Sequence, residues 1–159
     1  MRNIETPADL LALKVECIKQ VKWYVNKCAD KLGIIMPVPQ VVFALKGTTA
    51  GRAYYQKNLI SFSPSLLYAN ADHFLEQTVG HEVAHLAAFR KHGSIIKPHG
   101  THWQAVMWGL GLPATRCHNY DISGVPTQLG KVANKVIPIK IDGGIVRATT
   151  FGKVTEFEE

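Results

Sequence analysis

Cysteine is scarce in this chain of 159 residues: Cys17, Cys28 and Cys117 are the only three, and none stands in a CxxC pair. An odd count without such a pair excludes a disulfide framework and a four-cysteine zinc site. Long apolar runs are missing too, since none approaches the roughly 18 residues of a membrane helix. The N-terminus also lacks the apolar stretch and small-residue cleavage site of a signal peptide. We therefore expect a cytoplasmic protein that makes no membrane contact.

Acidic residues are also few, because twelve Asp and Glu stand against eighteen Lys and Arg. The resulting net charge of +6 and pI of about 9.3 suggest a polyanionic neighbour, most often nucleic acid. No block of five like charges occurs, so scattered lysines that only keep the protein in solution are the alternative. Hydrophobic residues make up 47% of the chain, which is enough for one packed domain and argues against intrinsic disorder.

Hydrophobic periodicity predicts a long first helix over residues 7–32, with Thr6 as its cap and Gly33 after its end. Its apolar residues recur at steps of three and four: Leu11, Val15, Ile18, Val21, Val25, Cys28 and Leu32. Three later segments have the composition of strands: 40–45, 52–56 and 59–63. Because turn residues separate these segments, we expect a small antiparallel sheet.

The second half of the chain predicts a short helix after Ser63, a long helix over 73–92 capped by Asn70 or Asp72, and a third helix over 101–110. Residues 136–141 and 145–151 flank a DGG turn and predict a β hairpin. This order of elements indicates an α+β fold. We expect one domain over residues 1–118 and a basic hairpin tail with an acidic end over 119–159.

The motif HEVAH places His81, Glu82 and His85 on the long second helix. Positions i and i+4 share one helix face, so both imidazoles can hold one metal ion, and neutral imidazole suits Zn²⁺. Glu82 lies beside the first ligand, where it can act as general base on a metal-bound water. An exposed helix with an accidental pattern is the alternative, but two histidines and a glutamate among core residues are costly without a metal or hydrogen bonds.

A catalytic zinc site needs a third protein ligand. His73 and His92 lie about two turns from the motif along the same helix, which is too far to share the ion. Three histidines remain as candidates: His99, His102 and His118. The loop position favours His99, and Gly100 is expected to let the backbone pass close to the metal.

Three segments in order resemble the SprT-like (Spartan-type) zinc metallopeptidase family, together covering roughly residues 40–118. They are GTTAGRAYYQKNLISFSPSLL (47–67), TVGHEVAHL (78–86) and PHGTHWQAVMWGLG (98–111). The resemblance implies a zincin-like domain that hydrolyses peptide bonds with one zinc ion. It also implies His81, His85 and His99 as zinc ligands and Glu82 as the catalytic base.

The resemblance and the basic charge together suggest protein substrates on or near DNA. The chain departs from the family pattern in two places: His102 stands where a glutamate is frequent, and residues 119–159 lack the cysteine-rich zinc ribbon of many bacterial members. Two other hypotheses therefore stay open. One is a DNA-associated adaptor with a zinc site and little or no peptidase activity, and the other is hydrolysis of a small amide.

Most aromatic side chains are interpreted as structural. We expect four of them in the core or between helices: Trp23, Tyr24, Trp103 and Trp108. Tyr54 and Tyr55 lie on a predicted strand beside the site, and this strand is a candidate for binding an extended peptide by β-addition.

Overall fold

The computed structural model describes residues 7–116 and Tyr120, together with the backbone of three C-terminal strands. Predictions for the cap at Thr6, for Cys117 and for His118 lie outside the described residues. The predicted domain boundary after residue 118 also falls there, so it stays a prediction. In the part of the chain that is described, no helix has both the length and the apolar character needed to cross a bilayer.

Helix α1 runs from Pro7 to Leu32, as predicted. Its buried residues confirm the predicted Ile18, Val21, Val25 and Cys28 but are shifted by about one position in the N-terminal half. The buried set is Leu10, Leu13, Lys14, Cys17, Ile18, Val21, Tyr24, Val25 and Cys28. The predicted stripe passed through Leu11 and Val15 because hydropathy alone leaves out Lys14. In the fold Lys14 is fully buried, with its ammonium group 5.3 Å from the centroid of the Phe43 ring.

Two of the four aromatic residues expected in the core or between helices lie at the surface. Tyr24 and Trp103 are buried, but Trp23 is 49% and Trp108 is 63% exposed. Both exposed residues stand on the solvent sides of their helices. The Trp23 ring packs edge-on against Tyr24 at 4.9 Å and also lies 4.8 Å from the ammonium group of Lys27, so it is covered locally without entering the core.

The first sheet is mixed rather than antiparallel, which corrects the prediction. It contains β1 (Gln40–Val42), β2 (Gly51–Tyr54) and β3 (Leu59–Phe62) in the order β1-β3-β2. Strand β3 is antiparallel to β2 but parallel to β1. The reason lies in the connections: only the turn between β2 and β3 is short enough for a hairpin, whereas the longer segment after β1 lets β3 enter between the other two strands.

Helix α2 (Pro64–Ala69) follows β3, and the Leu66 amide donates to the Ser63 hydroxyl at its N-cap. Three helical pieces then follow without a break: α3 (Ala71–His73), a π-helical turn (Phe74–Thr78) and α4 (Val79–His92). The predicted helix over 73–92 therefore begins two residues earlier. Asn70 stands at its N-cap position but makes no side-chain cap, because its amide donates to the Leu66 carbonyl.

Helix α5 (Thr101–Gly109) lies against α4, and both contact α1. The backbone of α4 approaches its neighbours closely at Gly80, where an added Cβ would lie 2.3 Å from Leu112 Cδ1 and 3.0 Å from Tyr24 Cζ. Strand β2 lies along the other side of α4. Helix α4 is therefore held between α1, α5 and the sheet, which fixes the direction of the HEVAH face.

The C-terminal strands form a second antiparallel sheet in the order β4-β5-β6. The predicted hairpin is β4 (Ile137–Ile141) with β5 (Gly144–Ala148), joined across the register pair Ile141↔Gly144. Strand β6 (Val154–Glu158) pairs with β5 and was not predicted.

Candidate metal centre

Two histidine side chains meet on the buried face of α4. His81 and His85 lie one turn apart on this regular helix, and their Nε2 atoms are 3.1 Å apart. Their imidazole rings pack edge to face, with centroids 4.9 Å apart. The i, i+4 spacing thus brings two ligand atoms together without any distortion of the helix.

The third histidine comes from the loop between α4 and α5. His99 Nε2 lies 3.0 Å from His81 Nε2 and 3.1 Å from His85 Nε2. His99 has a left-handed backbone with φ of 59°, which costs a non-glycine residue about 1–2 kcal/mol. Gln104 stabilises this conformation, because its side-chain amide donates to the His99 carbonyl at 3.0 Å.

The role expected for Gly100 is not observed. The unusual backbone conformation belongs to His99, whereas Gly100 has an ordinary φ of −77° at the N-cap of α5. A Cβ at Gly100 would meet the Lys97 carbonyl at 3.0 Å rather than the histidines. The small residue therefore serves the tight turn before α5 and not an approach to a metal.

The three nitrogen atoms fit a single cation. A neutral imidazole nitrogen either donates one hydrogen or offers one lone pair, so three nitrogens in a triangle cannot all satisfy one another by hydrogen bonds. Their separations of 3.0–3.1 Å are close to the about 3.3 Å between ligands of a tetrahedral ion with bonds of about 2.0–2.1 Å. Three histidines, His81, His85 and His99, could therefore hold a metal ion.

Burial favours the neutral, metal-binding form of two of these imidazoles, His85 and His99. Burial, with smaller contributions from the neighbouring His81 and His99, lowers the pKa of His85 to about 3. Burial also lowers the pKa of His99, with a contribution from the Arg116 charge. Neutral rings expose their lone pairs, which is the state that a divalent ion requires.

Trp103 packs against all three histidines. It is 1% exposed, and its ring centroid lies 4.7 Å from that of His81, 5.4 Å from that of His85 and 4.8 Å from that of His99. Its indole N–H donates to the His81 carbonyl at 3.2 Å. The prediction of a core residue is confirmed, but sequence reasoning missed its contact with all three histidines, for which its position four residues after His99 is the only signal.

Tyr55 lies next to His85 on the β2 side. Its hydroxyl is 3.5 Å from His85 Nδ1, which is a long contact for a hydrogen bond. The Tyr55 ring stacks on Phe89 at 5.0 Å, and this fixes where the hydroxyl lies. Tyr55 lines the cleft at the site, whereas Tyr54 is not among the lining residues.

Glu82 lies beside the triangle and is only 5% exposed. Its Oε1 is 3.9 Å from His81 Nε2. Burial raises the pKa of Glu82 to about 8, and the Arg52 charge partly opposes this rise. A Cβ at Gly51 of β2 would lie 2.7 Å from Glu82 Cγ and 2.9 Å from its Oε1, so the missing side chain at this position makes room for the carboxylate.

None of the other described histidines joins the triangle. His102 stacks on His92 with ring centroids 3.8 Å apart, so it links the ends of α4 and α5 instead of joining the triangle. His73 Nδ1 lies 2.9 Å from the Tyr120 hydroxyl. His118 lies outside the described residues.

The triangle and Glu82 open into a cleft of about 890 Å³. It is lined by the segment 48–53, by Pro98 and His99, and by residues that follow α5, including Pro113 and Arg116. Strand β2 is the terminal strand of its sheet, so its outer edge carries no partner among the described strands. A buried carboxylate, three convergent imidazoles and an accessible strand edge thus meet in one cavity.

Comparison with known proteins identifies the family of this chain. A family model described as the SprT-like family matches residues 17–118, which is more than half of the chain. The chain belongs to the SprT-like family. Protein SprT of Pseudomonas aeruginosa (strain LESB58) is 43% identical over 117 residues, or 73% of this chain and 67% of that protein. Protein SprT of Pseudomonas paraeruginosa (strain DSM 24068 / PA7) is 52% identical over the same shares.

The SprT-like match extends from within α1 to residue 118 and contains the three histidines and Glu82. The resemblance found in the three sequence segments is therefore confirmed. The C-terminal strands β4 to β6 lie outside the matched residues. No solved structure matches the chain.

Proposed function

We propose that this SprT-like protein is a zinc-dependent metallopeptidase with a zincin-like active site. The observation that carries the proposal is the triangle of Nε2 atoms, 3.0–3.1 Å apart, with a buried glutamate 3.9 Å from one of them. Three histidines and a vacant fourth position are typical of catalytic zinc, whereas structural zinc is usually closed by four protein ligands. We propose residues 1–118 as the peptidase domain.

The proposed mechanism assigns one step to each group. His81, His85 and His99 would hold the zinc ion, which would supply a Lewis acid for the scissile carbonyl and would lower the pKa of a water molecule. Glu82 takes a proton from the attacking water and later delivers it to the leaving amine. Trp103 and Gln104 keep the ligand geometry fixed through their hydrogen bonds to the His81 and His99 carbonyls.

An extended peptide is the substrate that the cleft suits best. The outer edge of β2 offers backbone donors and acceptors, and an extended peptide that adds to it gains main-chain hydrogen bonds without any sequence requirement. The edge starts at Gly51, directly over Glu82. A peptide bound there therefore passes the carboxylate and the triangle. The net charge of +6 supports substrates on or near DNA as part of this proposal.

Metal analysis of purified variants tests the proposal. We expect about one zinc per chain in the wild type and its loss in His99→Ala, which removes one of three ligands. His102→Ala is the matched control, because His102 contacts His92 and not the triangle. Zinc retained in His99→Ala but lost in His102→Ala would refute the ligand assignment.

Hydrolysis of a denatured protein substrate, with and without DNA, tests the activity itself. Glu82→Gln keeps the shape of the side chain but cannot accept the proton, so we expect zinc content to stay and turnover to fall by at least about a hundredfold. If zinc-loaded wild type cleaves nothing in either condition, the adaptor hypothesis replaces the peptidase.

A further inference from the structure

Two arginines line the cleft from separate elements. Arg52 belongs to β2 and Arg116 to the segment after α5, and both are exposed. Among the described residues that line the cleft, Glu82 is the only carboxylate. A ligand in the cleft therefore meets a positive field from two directions.

Successive side chains of β2 point to opposite faces of the sheet, and this determines which of them a bound peptide would meet. Gly51 faces Glu82 on α4, so the next residue, Arg52, points to the opposite face of the strand. In the sheet, Arg52 pairs with Ser61 of β3. The opposite edge of β2 has no partner among the described strands. A peptide residue placed opposite Arg52 on that edge presents its side chain on the same face, with Cβ atoms about 5 Å apart.

We propose that Arg52 and Arg116 make this site selective for peptide segments that carry Asp or Glu next to the scissile bond. This inference rests on the peptidase function proposed above. A guanidinium binds a carboxylate through two parallel hydrogen bonds, and opposite charges in a cross-strand pair attract each other. A lysine opposite Arg52 would meet a like charge.

Peptide hydrolysis measures this selectivity. Fluorogenic ten-residue peptides are compared in sets that differ only by Asp, Asn or Lys at one position, scanned across the peptide. We expect wild type to prefer Asp over Asn about fivefold in kcat/KM at one or two positions, and the preference to shrink in 0.5 M NaCl through screening. Equal rates for Asp and Asn at every position would overturn the inference while leaving the peptidase function intact.

Variants that change the charge of Arg52 or Arg116 test whether these residues cause the preference for Asp. Arg52→Gln should bring the ratio of Asp to Asn rates close to one at the affected position, and Arg52→Glu should favour Lys there. Lys57→Gln is the matched control, because this exposed lysine in the turn before β3 carries the same charge but does not line the cleft. A ratio that survives in an Arg52→Gln, Arg116→Gln double variant would contradict the assignment.

Peptide-binding measurements distinguish a failure of the proposed selectivity from a failure of the proposed peptidase function. Fluorescein-labelled versions of the same peptides are titrated with zinc-loaded Glu82→Gln and followed by anisotropy. Preferential binding of Asp peptides that depends on Arg52, without cleavage by wild type, would support the selectivity and refute the peptidase. A short DNA duplex that binds through Arg52 and Arg116 while acidic peptides do not bind would overturn the inference.

Discussion

Gly51 makes a sharp test of the site, because its missing side chain leaves the space that Glu82 occupies. In Gly51→Ala the new Cβ would lie 2.7 Å from Glu82 Cγ and 3.0 Å from Cδ. Non-bonded carbons prefer about 3.5–4.0 Å, so the carboxylate has to move by roughly 1 Å. A displacement of that size at a catalytic group costs about a hundredfold in rate. The three atoms nearest to the new methyl group all belong to Glu82, so metal binding should persist.

The assay combines kcat/KM, zinc content and thermal unfolding for Gly51→Ala. We expect the rate to fall about a hundredfold with one zinc per chain retained and a stability loss of no more than about 1–3 kcal/mol. A double-mutant cycle supplies the control, because Gly51→Ala should have almost no further effect in a Glu82→Gln background. Full activity in Gly51→Ala, or an equal fall in both backgrounds, would refute the assignment of Glu82 as the group displaced.

Two further predictions concern the surroundings of the site and the core. Trp103→Phe removes the hydrogen bond to the His81 carbonyl, so we expect zinc affinity to fall roughly tenfold. Competition with a chromophoric chelator measures this affinity, and an unchanged value would contradict a supporting role for Trp103. Burial lowers the pKa of Lys14 from 10.5 to about 7. Above pH 7 the unfolded chain therefore holds a proton that the folded chain has lost. The free energy of unfolding consequently rises with pH. Relative to Lys14→Met, we expect a rise of about 1 kcal/mol per pH unit between pH 7.5 and 9, measured by urea unfolding; a flat difference would contradict it.

The helices could be predicted from the sequence better than the sheet. Periodicity and terminal signals are local, and they placed α1, α5 and the continuous helical run from α3 to α4 within about two residues. The parallel pairing of β1 with β3 could not be found in this way, since strand order depends on which connection crosses the sheet. The π-helical turn at Phe74–Thr78 was missed for a related reason, because an extra residue in one turn leaves no signal in composition.

Within the site, the sequence identified the charged residue and the candidate metal ligands but not the residues that support them. Two histidines and a glutamate in HEVAH are chemically conspicuous. Trp103, Gln104 and Gly51 are not, since each is an ordinary residue whose role depends on what tertiary contact brings near it. Gly51 in particular acts through the absence of a side chain, which only the position of Glu82 makes visible.

The choice between His99 and His102 depends on where α5 begins. Residues three apart share one helix face, so a helix that started before His99 would have placed both imidazoles on one side and left the ligand undecided. Helix α5 instead begins at Thr101, and His99 stands before it with a left-handed backbone. That conformation turns its ring toward His81 and His85, while His102, inside the helix, stacks on His92. The backbone cost of about 1–2 kcal/mol at His99 is offset locally by the Gln104 hydrogen bond, and a bound cation would offset it further. Backbone strain at a loop histidine, rather than spacing in the sequence, thus separates the third candidate ligand from its neighbour.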